Sequence, residues 1–388
     1  MKKGILGLAV GVIFTMSVGV LCFAEDLVIN EQPYFKMVIE GQAKVYENLP
    51  INVNNSVLLP FREVLTSLGV PNDDQHIIWN QANRTVNILS TIDGKEVNLQ
   101  LKIDDLNATI NNKPATLEVA PMLYNDRTYV PVRFLSESLG KTVVWDAVGQ
   151  FVMIKNTKDF EQVKEIVTKS NDADKDTKRI KYSADIEITT PDAQNIKEHA
   201  DGAYDLEKKT IYSKMTMTSD NPPATQSGET YIVDNMVYYT QGATWAKVEV
   251  PKEVIATVQK QQTTPMNLAL TETASAGLQI DTSAPADEIW LKGNVYLPNS
   301  FAALTGGQNA ELPPYLSISK SYIEIVLDKK TYLAKKATLA LDIVEQGQPG
   351  EPEQKVITKT VMYFSEYNGK FEITLPKAAL EAVLQAAE

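Results

Sequence analysis

The chain has 388 residues, a hydrophobic content of 44% and a formal net charge of −12. That length suggests two or three domains, and that apolar content is ordinary for folded globular protein. The acidic balance argues against a nucleic-acid partner, whose phosphates demand basic patches. It also disfavours simple attraction to anionic membranes or wall polymers unless cations bridge them.

The chain opens with a targeting segment. Lys2 and Lys3 precede a largely apolar run from Ile5 to Val20, and Cys22-Phe23-Ala24 sets small residues three and one before a cut. Cleavage after Ala24 is expected, with a secreted product held at the cell surface or wall. Two alternatives stay open: retention as an anchor, since the run approaches membrane-spanning length, and acylation at Cys22, where Leu21 is larger than a lipoprotein site prefers. Cys22 is the only cysteine. A mature chain would have no disulfide, zinc thiolate or thiol nucleophile, a style that fits a Gram-positive surface.

Residues 25–157 form the first expected domain, organised by a repeat. Leu58-Leu59-Pro60-Phe61-Arg62-Glu63-Val64-Leu65-Thr66-Ser67-Leu68-Gly69 is answered 71 residues on by Tyr129-Val130-Pro131-Val132-Arg133-Phe134-Leu135-Ser136-Glu137-Ser138-Leu139-Gly140. Each apolar run ends at a proline that can open a helix, because its missing N–H would be unpaired there anyway. Phe61, Val64, Leu65 and Leu68, like Val132, Leu135 and Leu139, follow helical spacing. Gly69 and Gly140 stand where a left-handed stop is needed. A tryptophan strand, a polar turn and a second strand follow, around Trp79 and Trp145. The unit reads strand, helix, hairpin, written twice, with the copies sharing a sheet and core. Between them Val97, Leu99, Leu101 and Ile103 alternate as a half-buried strand.

This pattern resembles the copper amine oxidase N-terminal domain-like family, the stalk domain of many secreted bacterial proteins. The residues that carry the likeness are Asn125 to Arg133, Leu139-Gly140, Trp145 and their first-copy counterparts, over roughly residues 38 to 156. The first copy departs from the pattern, with Ser56 where the second has Arg127 and a longer connection from Pro71 to His76. The resemblance implies an interaction module that lies outside any copper centre. The whole chain has two histidines, His76 and His199, so no copper site by imidazole ligands, and no metal or other cofactor, is expected.

Residues 158–179 read as a connection: Phe160 to Thr168 as a short helix, Lys169 to Arg179 as a polar linker. Within it Asp172-Ala173-Asp174-Lys175-Asp176 is similar to a calcium loop, but the turn glycine would fall at Thr177 and the bidentate glutamate at Ser183.

Residues 180–388 change character. Alternating runs at Ala184–Ile188, Ile211–Met217, Tyr231–Tyr239, Trp245–Val250, Ile323–Leu327, Leu333–Ile343, Val356–Phe364 and Phe371–Leu375 predict a long antiparallel meander with one apolar face. Helices are expected from Pro251 (Val254, Ile255, Val258), from Leu297-Pro298 (Phe301, Leu304) and from Pro376 (Leu380, Val383, Leu384), and would cover that face. The fold class expected for the whole chain is α+β: a duplicated strand-helix-hairpin module, then a curved antiparallel half-barrel covered by helices.

The back half resembles the LolA/LppX-like lipoprotein-carrier superfamily, carried by Tyr231 to Tyr239 with Trp245, the Ile325 to Lys336 hairpin and Tyr367 to Pro376. The resemblance implies a half-barrel with a hydrophobic ligand cavity. Met215, Met217, Met236, Trp245, Trp290 and Phe301 are the candidate lining, methionine being suited to adaptable apolar pockets; ordinary core is the alternative.

No catalytic constellation emerges. There is no Gly-x-Ser-x-Gly elbow, no phosphate-cradling glycine loop and no carboxylate pair singled out by spacing. Arg62 and Arg133 each sit in a first helical turn, where the dipole disfavours a cation, and a structural clasp tying helix to sheet is expected of both. The reading is a secreted, non-enzymatic cell-envelope protein, with a stalk-like module and a carrier-like domain for a lipid or other hydrophobic ligand. A wall polymer or envelope protein is a further candidate partner. The competing reading is a structural or adaptor protein of the cell wall with no small-molecule ligand.

Overall fold

The computed structural model describes residues 36–44, 46–48, 50–53, 56–92, 94–146, 151–191, 194–252, 270–295, 316–345 and 354–385. The targeting segment, the helices expected from Pro251 and Leu297, and Phe301 lie outside the described residues. The chain divides into two units, Glu25–Lys164 with Glu272–Gln279, and Glu165–Thr271 with Ile280–Glu388.

The described residues of the front unit form three small sheets. In one, β1 (Lys36–Ile39) runs parallel to β13 (Phe151–Asn156), between β2 (Gln42–Lys44) and β12 (Lys141–Asp146). In the second, β4 (Ser56–Pro60) pairs antiparallel with β11 (Arg127–Pro131), flanked by β3 (Ile51–Val53) and β10 (Met122–Tyr124). The third is a meander of β5 (Ile77–Asn80), β6 (Thr85–Ile92), β7 (Lys95–Lys102), β8 (Asn107–Ile110) and β9 (Lys113–Thr116).

Pro60 caps helix α1 (Phe61–Ser67) and Pro131 caps α2 (Val132–Ser138). Gly69 and Gly140 follow with φ of +90° and +69°, a conformation glycine adopts without a Cβ clash. Leu59, Leu65, Ile88, Leu99, Val130 and Leu135, drawn from both repeats and the meander between them, are fully buried in one cluster. Each such side chain contributes about 1.5–3 kcal/mol of burial. Trp79 and Trp145 keep 36% and 39% of their surface exposed, so neither is a core tryptophan.

The linker expectation is corrected. Helix α3 (Thr157–Lys175) occupies most of it, and the boundary between the units falls inside that helix. Phe160, Val163, Val167, Ser170 and Asp174 recur at steps of three and four, the spacing of one helical face. Its last two positions are polar. The stripe therefore continues where a hydrophobic pattern stops, and Ser170 is buried while Asn171 Nδ2 donates to the Leu270 carbonyl at 2.9 Å. Helix α4 (Glu272–Gly277) belongs to the front unit, and strand β20 (Leu278–Ile280) spans the second boundary.

The back unit is a long sheet. Its strands are β14 (Arg179–Thr189), β15 (Asn195–Asp205), β16 (Thr210–Asp220), β17 (Pro223–Val233), β18 (Met236–Gln241), β19 (Thr244–Glu249), β21 (Glu288–Gly293), β22 (Leu316–Asp328), β23 (Ala334–Glu345), β24 (Gln354–Ser365) and β25 (Val383–Gln385). They run in space as β21-β22-β23-β24-β14-β15-β16-β17-β18-β19-β25, antiparallel except for the last pair, and curl into a half-barrel. Sequential hairpins build it, with β24 returning to lie beside β14.

Strand dominates the described residues, so the chain is mostly β rather than evenly α+β. Two further expectations change at the C-terminus. Phe371–Leu375 leaves the ladder and pairs with no strand among the described residues. The helix from Pro376 is one turn, α5 (Lys377–Leu380), after which Val383–Gln385 adds a strand to β19. Leu380, Val383 and Leu384 stay exposed, Val383 at 76%. Their helical spacing marked no buried face. No helix among the described residues is long and apolar enough to cross a membrane.

Candidate functional site

Cross-strand partners share a face, because side chains alternate along each strand and ladder partners point the same way. Following the ladders separates the back sheet into two surfaces of different chemistry. One row runs Met362–Ala184–Ala200–Met215–Gly228, and the next runs Thr360–Ile186–Glu198–Met217–Gln226. A third brings Ile188 beside Ile196, and these two pack with Val356 and against Met217. This is the apolar face. Its middle is floored by Ala184, Ala200 and Gly228, with Met215 and Met217 half-buried beside them.

One residue breaks the chemistry of this face. Glu198 is 3% exposed, and neither carboxyl oxygen has a hydrogen-bond partner among the described residues. Burial among apolar neighbours pushes its carboxyl up to about 7. Asp174 on α3 is pushed to about 6 by the same cause.

The opposite face is aromatic and charged. Lys181, Ala203, Tyr212, Tyr231, Tyr238 and Lys247 form one cross-strand row. The Tyr212 and Tyr231 rings lie 4.8 Å apart, and Tyr231 lies 5.9 Å from Trp245. A cavity of about 490 Å³ opens here, lined by Lys181, Ser183, Asp201, Tyr212, Tyr231 and the segment Phe371 to Thr374 that has left the ladder. The Phe371 ring takes two cations, Arg179 at 4.7 Å and Lys181 at 5.0 Å. Burial, reinforced by Tyr212 and Glu229, lifts the Tyr231 hydroxyl to about 12. His199 stands between Asp185 (2.7 Å) and Asp201 (3.3 Å), and the Asp185 hydrogen bond raises its pKa.

Five of the six candidate lining residues are described, and they do not converge. Met215 and Met217 share the apolar face. Met236 and Trp245 stand on the opposite one, since Met236 partners Val233 and through it Thr210, out of phase with Met215. Trp290 follows the ladder through Val326, Lys336 and Tyr363 onto that same aromatic side, far along the strand order, where its indole donates to Glu288. Residues the sequence reading passed over complete the apolar site: Glu198, Ala200, Gly228 and Met362. A signal was present for Glu198, a charge in phase with Ile196, Ala200 and Tyr204.

In the front unit Arg133 donates to the Val143 carbonyl on β12 (3.2 Å) and faces Glu137 (3.3 Å). Arg62 reaches Asn72 in the loop after its helix (2.9 Å) and lies over Phe61. Among the described residues of this unit the buried cation is Lys155, 2% exposed, whose ammonium donates to the Leu278 carbonyl. Burial lowers its pKa and the Glu40 charge partly opposes that. His76 is exposed and paired with Asp73, and no group of three or more His, Cys, Asp or Glu side chains among the described residues could hold a metal ion.

Comparison with protein families gives two matches that together span most of the chain. Residues 38–154 match the copper amine oxidase N-terminal domain. Residues 162–383, more than half of the chain, match a family of unknown function, DUF6612. The chain belongs to the DUF6612 family. Its DUF6612 region contains both faces of the back sheet. No curated protein matches the chain. Among solved structures, LprF from Mycobacterium bovis matches at 12% identity and a TM-score of 0.29, over 56% of this chain and 98% of its own. A LolA superfamily protein, NE2245 from Nitrosomonas europaea, matches at 10% identity and a TM-score of 0.19, over 55% of this chain and 94% of its own.

Proposed function

We propose that this is a secreted, non-catalytic protein of the cell envelope, exported by a signal segment cleaved after Ala24. The front unit is a stalk-like interaction module built from two copies of the strand, helix and hairpin. The DUF6612 region is a carrier-like domain that takes a lipid or other hydrophobic ligand on the apolar face of its sheet. Short helices of the chain cover that face around the ligand. The observation that carries this reading is the placement of Met215 and Met217, half-buried above a floor of Ala184, Ala200 and Gly228. Large flexible side chains beside small ones make a surface that can repack around an acyl chain. Native mass spectrometry of the purified protein, followed by solvent extraction, tests it. Co-purifying lipid, or displacement of a bound fluorescent acyl probe by a fatty alcohol, is expected. A protein that carries no lipid and binds no acyl probe sinks it.

One observation favours the adaptor reading. The Tyr212–Tyr231–Trp245 ladder beside the cavity is the kind of aromatic surface that stacks on a polymer. Sedimentation with purified wall polymer, weakened by Trp245→Ala, would support it.

A further inference from the structure

Glu198 is a costly residue to place on an apolar sheet face. A carboxylate removed from water without a partner is penalised by several kcal/mol, and protonating it relieves the charge but leaves the oxygens without hydrogen bonds. Across the ladder it meets Ile186 and Met217, and beyond them Thr360 and Gln226. The flanking rows bring Ala184, Ala200 and Met215 on one side, and Ile188, Ile196 and Ser219 on the other. None of these side chains is titratable or charged. Both carboxyl oxygens are therefore left for a donor that the described part of the sheet does not supply.

We infer that the apolar face selects a single-chain amphiphile with a protonated amine head, whose ammonium meets the Glu198 carboxylate while its chain lies over Met215, Ala200 and Gly228. This rests on the reading that the face takes a hydrophobic ligand, and names the head that ligand carries. An ammonium brings three donors and a compensating charge to two unpaired oxygens. A hydroxyl head brings one donor and no charge. A carboxylate or phosphate head would meet Glu198 as a like charge in a medium of low dielectric. The net charge of −12 favours approach of a cation over an anion.

The test uses the full chain with a bound fluorescent acyl probe, displaced by dodecylamine, dodecanol or dodecanoate below their micelle concentrations. At pH 8 dodecylamine should displace the probe at about tenfold lower concentration than dodecanol, the factor that one pK unit of interaction supplies. Dodecanoate should be the weakest. Glu198→Gln should remove the amine's advantage over dodecanol. The wild type provides a check that does not depend on the variant folding. Its dodecylamine affinity should rise about tenfold from pH 5.5 to pH 8 as the carboxyl ionises, with dodecanol flat. Equal displacement by amine and alcohol at both pH values overturns the inference and leaves the hydrophobic-ligand reading standing. Failure of all three to displace the probe, or of the probe to bind, overturns that reading and the inference with it.

Discussion

The ring of Tyr182 lies across the bare backbone of Gly202, its partner on the neighbouring strand, and its hydroxyl continues to Ser213 on the strand after. A Cβ at Gly202 would fall inside that ring. The glycine is there for the tyrosine: an aromatic side chain fills the gap a glycine leaves in a sheet.

Gly202→Ala should therefore destabilise the protein by about 1–3 kcal/mol, the usual cost of forcing atoms into a packed site. Thermal melting measures it. In the double variant Gly202→Ala with Tyr182→Ala the glycine substitution should cost much less. Additive losses would show that the contact does not set the cost.

The back unit should be most stable in mild acid. Folding raises the Glu198 carboxyl to about 7 and that of Asp174 to about 6, while unfolded carboxyls titrate near 4. Between those values the folded chain holds more protons, so this stability is complete below the unfolded pKa and is lost as pH rises through the folded one. His199, raised by Asp185, acts in the same direction. Asp281, held down to about 2 by Lys292, opposes them only as pH falls toward 2. Melting temperature should fall from pH 5 to pH 8, with roughly 3 kcal/mol of the change due to Glu198. Glu198→Gln should flatten the profile. An unchanged slope in that variant would show that the carboxyl is not the cause.

Lys155 ties Leu278, and with it helix α4, to the front unit. Lys155→Ala leaves the Leu278 carbonyl without its donor, at a cost of about 1–3 kcal/mol. Amide exchange over residues 272–279 should accelerate more than exchange in the β5–β9 meander. Uniform acceleration would point to general loss of the core instead.

The two equivalent arginines should differ. Arg133 spans from its helix to a carbonyl on β12, whereas Arg62 reaches only the loop that follows its own helix. Arg133 is exposed and Arg62 half-buried with its guanidinium at the surface, which holds either contribution to about 1 kcal/mol or less. Arg133→Ala should lower the melting temperature and Arg62→Ala should leave it nearly unchanged, on urea or thermal denaturation. Equal effects would mean that the carbonyl contact contributes nothing.

The two faces of the back sheet should separate in a binding assay. Met215→Glu or Met217→Glu should weaken acyl-probe binding at least tenfold, while Trp245→Ala and Met236→Ala should leave it unaffected. Loss of probe binding with Trp245→Ala would move the ligand to the aromatic face.

The local pieces were legible in the order of residues alone. Pro60, Pro131, Gly69 and Gly140 place the starts and stops of two helices, and the strands of the meander follow their alternation, because proline, glycine and a two-residue period act through the backbone nearest them. Tertiary structure decided which pieces share a surface. Met215 and Met236 look equivalent along the chain, but a one-residue phase difference across the β16–β17–β18 ladder puts them on opposite faces. Glu198 reads as one more acidic residue until its neighbours bury it, and Ser170 and Asp174 read as linker until one finds them on the packed side of a helix. The reason is common to all three: periodicity records which residues on one element go together, while burial depends on what the rest of the chain brings against them.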